Sequence, residues 1–486
     1  MNKYKKLISD TAVYGIGTFA SKILVFFLTR LYTECLTEAQ FGKADLVSNL
    51  ANLLIPLAAA GMCDGIFRFA LDRDSDKRSV FSTGFAILLA ASALFAILSP
   101  LMILSEYFRS YVWLIILYVL MSNFHSVCAQ YIRALDKTKL FAVQGILNTV
   151  LTITFNVIFL VVLPENSFFS SEYGYVFSIV IADFILGCFL MIYARLWKDI
   201  RFESVNKKLA LSMLKYSLPL IPTTIFWWIT NVSDRYMVTY FLGESQNGLY
   251  TAAYKIPTLL TLVTGVFSEA WQFSAVKESD PENAPGFYSN VFSCFQGIIF
   301  TAGAFIIVFS KIGAKILFAE SYYSAWEFIP LLAVAGVFSS FVNFLSSIYM
   351  VKKRSIKSFL TAMSGAVVNI VLNFILIPSH LSLGSITVTC AGLGVQGAAV
   401  ATVISYVTVF IMRAADTRRL LKFDMQVLRL VSNSALMATG VFAMLGIRQN
   451  HTALICVAAV YLVAVIAINI KPMINMVKNM FFSKNI

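Results

Sequence analysis

Long apolar stretches alternate with short polar connections along the whole of this chain. About 20 residues of helix cross a hydrocarbon core about 30 Å thick. On that measure the pattern predicts 14 membrane spans, at residues 9–31, 44–67, 79–104, 110–132, 140–163, 174–194, 211–242, 248–276, 288–310, 326–350, 356–378, 393–412, 428–447 and 452–470. The longest polar segments, such as ARLWKDIRFESVNKK and KESDPENAPG, have the length of loops. The expected fold class is therefore an all-α membrane protein, with any chemistry inside the helix bundle or at its mouths.

Composition agrees with the pattern. The 486 residues are 59% hydrophobic and 13% charged, with a mean hydropathy of +0.78, whereas soluble domains are roughly 25% charged. The first residues, MNKYKKLISDTAVYGIG, resemble a signal peptide, but the apolar part is long, carries Lys22 and lacks a small-x-small cleavage site, so it reads as a retained first span. Seven cysteines without a CxxC pair imply no disulfide framework. His125, His380 and His451 lie on separate segments without metal-ligand spacing, and no P-loop supplies ATP chemistry. Neither a metal nor an organic cofactor is expected.

Charge changes the picture by giving it a direction. With alternate loops assigned to opposite sides, 29 Lys and Arg fall on the side of the N-terminus and 6 on the other. Cytoplasmic loops carry the excess of Lys and Arg, so both termini are expected in the cytoplasm and the protein in the cytoplasmic (inner) membrane. The net charge of +13 is thus mainly a topology signal. No nucleic-acid partner is needed to explain it.

The chain also repeats itself. RLYTECLTEAQFG (residues 30–42) and RYMVTYFLGESQNG (residues 235–248) share an Arg and a Glu-x-Gln-x-Gly ending, each between long apolar spans. The basic loops RALDKTKLF and VKKRSIKSF each open a span whose polar stripe ends in an Asn, Asn156 and Asn373 respectively. Matches at offsets of 205 to 218 residues divide the chain into a six-helix half at 1–208, a second at 209–424, and two further helices with a tail at 425–486. Six is even, so the halves share orientation and are parallel repeats.

This 6+6+2 arrangement, with KYSLPLIPTTIFWWITNVSDRYMVTYFLG opening the second half and GLYTAAYKIPTLL following it, resembles the Wzx-type polysaccharide and O-antigen flippases of the multidrug/oligosaccharidyl-lipid/polysaccharide (MOP) exporter superfamily. The resemblance covers nearly the whole chain. It implies a two-lobed, V-shaped, MATE-like bundle that moves an undecaprenyl-pyrophosphate-linked oligosaccharide from the cytoplasmic to the outer leaflet by alternating access.

A charge near the bilayer centre costs about 2.5 to 3.5 kcal/mol on insertion scales and faces a cavity or a partner. Lys22 lies roughly 14 Å and Arg235 and Lys255 roughly 10 Å below the outer end of their spans, at 1.5 Å per residue. These three read as a cationic cavity for a lipid pyrophosphate, since Arg forks and Lys point charges both suit phosphate oxygens. Arg30, the repeat counterpart of Arg235, lies at the outer rim of that set. Snorkelling is the competing explanation, and it is favoured for the span-end residues Arg30 and Arg68.

Neighbouring helix positions point about 100° apart, so Asp234 and Arg235 cannot share a face. One of the two should find its partner on another helix. Asp234, Glu269 and Asp183 are candidates for H+ or Na+ coupling or for charge balance. Polar stripes at Asp45, Asn49 and Asn52, and at Gln144, Asn148, Thr152 and Asn156, suit either sugar hydroxyls or interhelical hydrogen bonds. Pro56, Pro219, Pro222 and Pro257 mark spans 2, 7 and 8 as a moving gate.

The expected partners are a lipid-linked oligosaccharide, membrane lipids and the polysaccharide polymerase machinery, with the flippase itself a monomer and not an enzyme. A lipid II flippase of peptidoglycan synthesis would handle a similar pyrophosphate on the same plan. A MATE-type drug or cation antiporter would want acidic residues where this chain leans basic. An integral-membrane polysaccharide polymerase would carry a large outer loop with catalytic Arg or His, whereas the longest outer loop here is PSHLSLGSITVTCAGLG.

The loop-charge asymmetry sets the first test. Cysteines placed in the 205–208 and 352–354 loops should react with a membrane-impermeant maleimide only in inverted vesicles. Labelling of either from outside intact cells would overturn the orientation.

Overall fold

The structure, a computed structural model, describes residues 26–72, 75–163, 167, 169, 171–265, 267, 284–351, 354–383, 386–447 and 451–482. Its elements begin with α1 (Glu38–Ala58), α2 (Met62–Ala70), α3 (Lys77–Leu98), α4 (Val112–Ala134), α5 (Thr138–Val157) and α6 (Glu172–Tyr193). They continue with α7 (Lys207–Ser217), α8 (Leu220–Leu242), α9 (Glu244–Lys255), α10 (Ala284–Val308), α11 (Ser310–Leu317), α12 (Ile329–Val351) and α13 (Ser355–Leu376). A short antiparallel hairpin, β1 (His380–Leu383) and β2 (Ile386–Thr389), precedes α14 (Val395–Leu420), α15 (Val427–Gly446) and α16 (His451–Phe482).

Among the described residues, 11 helices are long and apolar enough to cross a membrane, and the bent pair α1 and α2 makes a twelfth span. Of the 14 spans predicted by hydropathy, the two without a counterpart, 9–31 and 248–276, run onto residues outside those described. The chain divides into two compact units, Met1–Val232 and Ser233–Ile486. Because α7 packs on α2 and α3, it lies with the first unit, and the division falls within α8, beyond the 208/209 boundary suggested by the repeat. The last two helices, α15 and α16, pack on α10 within the second unit.

Local sequence explains the breaks. The first helix of the bent pair starts at a capping box, in which Thr37 Oγ1 accepts from Gln40 N at 3.3 Å and Gln40 Oε1 accepts from Thr37 N at 2.9 Å. Pro56 inside α1 has no N–H to give the turn before it. The chain then passes through left-handed backbone at Ala60 (φ 48°) and Gly61 (φ 67°) and resumes as α2 at 51°. Gly61 is required there on two counts, since a Cβ would also lie 3.0 Å from both the Cβ and the carbonyl oxygen of Ser217. From α4, Asn123 Nδ2 donates to Ile55 O at 3.0 Å and so helps satisfy the backbone at the bend.

The predicted span 7 is two helices, α7 and α8, with Pro219 in the break and Pro222 in the first turn of α8, where proline is tolerated. Pro257 sits just past the end of α9, and Leu260 N donating to Pro257 O at 2.9 Å resumes the helical turn.

The loop after α6 is docked along the first turns of α3. Ser82 Oγ donates to Asp199 O at 2.7 Å and accepts from Arg201 N at 2.9 Å, Ser79 Oγ donates to Ser204 O at 2.8 Å, and Arg78 Nε pairs with Asp199 Oδ1 at 3.1 Å. Beneath it, Phe81 stacks on Tyr131 at 4.1 Å within a core that includes Ile66, Ile132, Leu190 and Met213.

Small residues set the close approaches of the second unit. A Cβ on Gly397 would lie 2.5 Å from the Leu376 carbonyl oxygen, and one on Gly365 would lie 2.3 Å from Val409. This is how helices meet where lipid offers no hydrophobic drive between them. Leu428, Phe442 and Val460 stay more than two-thirds exposed, as suits residues solvated by acyl chains.

Gly397→Ala should therefore push α14 off the backbone at the end of α13 and destabilise the protein by about 1 to 3 kcal/mol, the usual range for overpacking. Gly145→Ala, where a Cβ meets nothing within 4 Å, should be neutral or mildly stabilising. Thermal unfolding of the detergent-solubilised protein checks both.

Candidate functional site

Among the described residues, each unit contains a buried polar cluster in which a carboxylate meets side chains of several helices. In the second unit the carboxylate is Asp234 on α8, which is 1% exposed. Tyr250 and Tyr254, one helical turn apart on α9, donate to its Oδ2 at 2.7 and 3.0 Å, and Thr402 Oγ1 on α14 lies 3.2 Å from the same oxygen. The backbone N–H of Arg235 donates to Oδ1 at 2.9 Å. Behind Thr402 stands Asn369 on α13, which accepts from Ser233 Oγ at 3.1 Å and from Asn373 Nδ2 at 2.9 Å. A carboxylate with several donors is a charge that can stay buried.

The guanidinium carbon of Arg235 lies 4.9 Å from the centroid of the Tyr254 ring. The two charges thus share one residue, Tyr254, which gives its hydroxyl to Asp234 and its ring to Arg235. Lys255, the next residue, ends α9 and is half-buried. The second unit therefore brings Asp234, Arg235 and Lys255 onto the neighbouring helices α8 and α9. Arg30 pairs with Glu34 at 2.6 Å on an exposed surface, as Arg68 does with Asp72 at 2.7 Å. Lys22 and Glu269 lie outside the described residues.

In the first unit the carboxylate is Asp183 on α6. His125 Nδ1 on α4 lies 2.9 Å from Asp183 Oδ1, Asn148 Nδ2 on α5 donates to the same oxygen at 3.3 Å, and Ser122 Oγ on α4 donates to Oδ2. The other ring nitrogen, His125 Nε2, faces Gln144 Oε1 on α5 at 2.8 Å. Thr152 Oγ1 donates to Asn148 Oδ1 at 3.2 Å, and Asn156 Nδ2 donates to the Thr152 carbonyl at 2.7 Å. The predicted stripe on α5 is therefore consumed in part by an interhelical network. On α1, Asn49 Nδ2 donates to the Asp45 carbonyl at 2.8 Å, the Asn49 carbonyl accepts from Trp228 Nε1 at 2.8 Å, and Asn52 meets the Tyr118 hydroxyl.

Sequence reasoning missed several of these residues. Tyr250 and Tyr254 carried a readable signal, because a pair of tyrosines at i, i+4 shares one helix face. Asp183 was a candidate from the sequence, but its pairing with His125, 58 residues away, had no such signal. Arg413, placed at a span end by hydropathy, is fully buried on α14. It donates to Thr361 Oγ1 at 2.9 Å, Val342 O at 3.0 Å, Ser358 O at 3.2 Å and Ser346 Oγ, and so ties α12, α13 and α14 together. Among the described residues no three His, Cys, Asp or Glu side chains are grouped to hold a metal ion. An apolar crevice of about 440 Å³ in the second unit, lined by Ile312, Leu454, Ile455 and Leu462 with Lys311 and Lys315, draws on none of the residues of either polar cluster.

The family model described as polysaccharide biosynthesis protein matches residues 7–273. No curated protein sequence matches the chain. Among solved structures, the lipid II flippase MurJ in an inward closed conformation aligns with a TM-score of 0.65 at 14% identity, over 97% of this chain and 99% of that one. An inward-facing multidrug resistance MATE family transporter of the MOP superfamily aligns with a TM-score of 0.63 at 15% identity, over 84% and 95%. A MOP superfamily transporter from Pyrococcus furiosus, described by the reversed polarity of its binding pocket, aligns with a TM-score of 0.59 at 15% identity, over 84% and 95%. At these identities the likeness is one of fold, and the fold is that of MOP-superfamily transporters.

The geometry separates structural from candidate functional cations. Arg413→Ala would remove the donor that the acceptors on α12 and α13 share in the core, a loss in the range of about 3 to 5 kcal/mol, and Arg413→Lys cannot reach them all with one ammonium. Both should lower the yield of monodisperse protein, whereas Arg235→Ala should not. Fluorescence-detected size-exclusion chromatography of the three variants decides it.

Proposed function

We propose, since the chain belongs to the polysaccharide biosynthesis protein family, that it is a flippase that carries an undecaprenyl-pyrophosphate-linked oligosaccharide from the cytoplasmic to the outer leaflet. It resides in the cytoplasmic membrane with both termini inside and works by alternating access, supplying a polysaccharide polymerase. One observation carries the choice of substrate. Arg235 and Lys255 are carried by the consecutive helices α8 and α9, and the carboxylate of Asp234 next to Arg235 is held by hydroxyl donors. The local balance then favours an anion, and a pyrophosphate offers oxygens to both the Arg fork and the Lys ammonium. Lys22, read from the sequence as an intramembrane cation, is the third candidate. The amides of Asn49, Asn52, Gln144 and Asn148 suit sugar hydroxyls whenever the cycle frees them.

A second reading, flipping of lipid II, is favoured by the near-complete alignment with MurJ. Both substrates present the same pyrophosphate and differ in the sugar. The carboxylates Asp183, Asp234 and Glu269 are the candidates for H+ or Na+ coupling.

The test is reconstitution into proteoliposomes with a fluorescent lipid-linked oligosaccharide or lipid II, reading accessibility to an impermeant quencher. Arg235→Ala and Lys255→Ala should each lose most of the flipping at equal protein, and Arg235→Lys should keep part of it, because the charge remains and the bidentate fork is gone. Neutral variants at a coupling carboxylate should lose gradient-driven transport while still binding substrate. If Arg235→Ala, Lys255→Ala and Lys22→Ala all insert normally and flip at the wild-type rate, the pyrophosphate role is wrong.

A further inference from the structure

We propose that His125 is a proton-binding residue inside the N-terminal unit, with Asp183 holding its charged form and the Gln144 side-chain amide registering whether the proton is present. Both ring nitrogens of His125 face acceptor oxygens, Nδ1 toward Asp183 Oδ1 at 2.9 Å and Nε2 toward Gln144 Oε1 at 2.8 Å. A neutral imidazole carries one N–H, so it can donate to only one of them. The doubly protonated ring donates to both.

The rest of the cluster is arranged for that charge. Asp183 also accepts from Ser122 and Asn148, so it stays satisfied as a carboxylate whichever form the ring takes. When Nε2 loses its proton to water, its lone pair is left opposite the Gln144 carbonyl oxygen. Rotating the Gln144 amide brings its NH2 to the ring and restores the bond. The proton thus changes which atom of an α5 residue is held by α4, and α5 packs on both α4 and α6.

His125 and Asp183 are 8% and 7% exposed, so exchange with water requires α5 to part from its neighbours. That links proton release to a helix movement and not to a surface equilibrium.

The other charged groups near this ring are few. Asp183 is the carboxylate that meets it from α6, and α5 offers it neutral amides, with its charged residue Lys139 in the first turn. On α4 itself the titratable residues are Tyr118, Cys128, Tyr131 and Arg133. The helices packed on α4 bring Glu38, Lys43 and Asp45 on α1, Cys63, Asp64 and Arg68 on α2, and Lys77 and Arg78 on α3. Besides Asp183, α6 carries Glu172, Tyr173, Tyr175, Cys188 and Tyr193.

The role of this proton in transport rests on the flippase reading above, whereas the binding site itself does not, and the experiment separates the two. His380→Gln/His451→Gln leaves His125 as the sole histidine of the chain. Histidine-selective 15N NMR of that protein in lipid nanodiscs should show both ring nitrogens protonated on the acid side and reversible loss of the Nε2 proton as pH rises. Asp183→Asn should remove the doubly protonated form over the same range. Gln144→Glu should carry it to higher pH, because the second acceptor becomes an anion. Flipping by His125→Gln should lose its response to a pH gradient.

A ring that keeps one neutral tautomer throughout overturns the proposal, as does a titration that Asp183→Asn leaves unmoved or a pH-driven flux that survives His125→Gln. A protein whose His125 titrates as described yet flips no lipid-linked oligosaccharide keeps the proton site and loses the flippase reading.

Discussion

Inside a hydrocarbon solvent a polar group that finds no partner in its own chain finds none at all. Asp234 shows how far this constraint reaches. Its carboxylate is buried at the cost of recruiting Tyr250 and Tyr254 from α9 and Thr402 from α14, and those hydroxyls in turn fix where the helices lie against one another. Arg413 does the same for α12, α13 and α14. Arg429 does so for α10, α15 and α16, donating to Ser293 Oγ at 2.8 Å and to Asn469 Oδ1 at 3.1 Å. With charges costing about 2.5 to 3.5 kcal/mol each at the membrane centre, a helix bearing one is held to the neighbours that satisfy it.

The two units meet this constraint with related but unequal devices. Asn156 and Asn373, equivalent in the repeat, are both fully buried and both donate one turn back along their own helix, to the Thr152 carbonyl and the Asn369 side chain. The carboxylates differ. In the first unit Asp183 comes from the last helix of the half and meets a histidine, and in the second Asp234 comes from the helix that opens the half and meets tyrosines. A histidine partner can change its charge near neutral pH where a tyrosine does not, so the two clusters support different chemistry.

Helix breaks supply the complementary property. At Pro56 to Gly61 the bend is over-determined, with left-handed backbone, a close approach by Ser217 and a donor from Asn123 to Ile55. Pro219 and Pro257 follow the ends of α7 and α9.

The sequence alone determined that this chain lives in a membrane, because the length and apolarity of a span are local properties that need no knowledge of the fold. The repeat was legible for the same reason, as were the family and the unusual placement of Asp234, Arg235 and Lys255 within apolar runs. The tertiary structure decided who partners whom. Nothing in the spacing of His125, Gln144 and Asp183 tells that they meet, and nothing at Arg413 tells that it is buried and not snorkelling, since a residue near a span end can do either. Asp234 is held by Tyr250, Tyr254 and Thr402 because helices distant in sequence pack together. That choice depends on side chains meeting across helices, which hydropathy, a property of each segment by itself, does not encode.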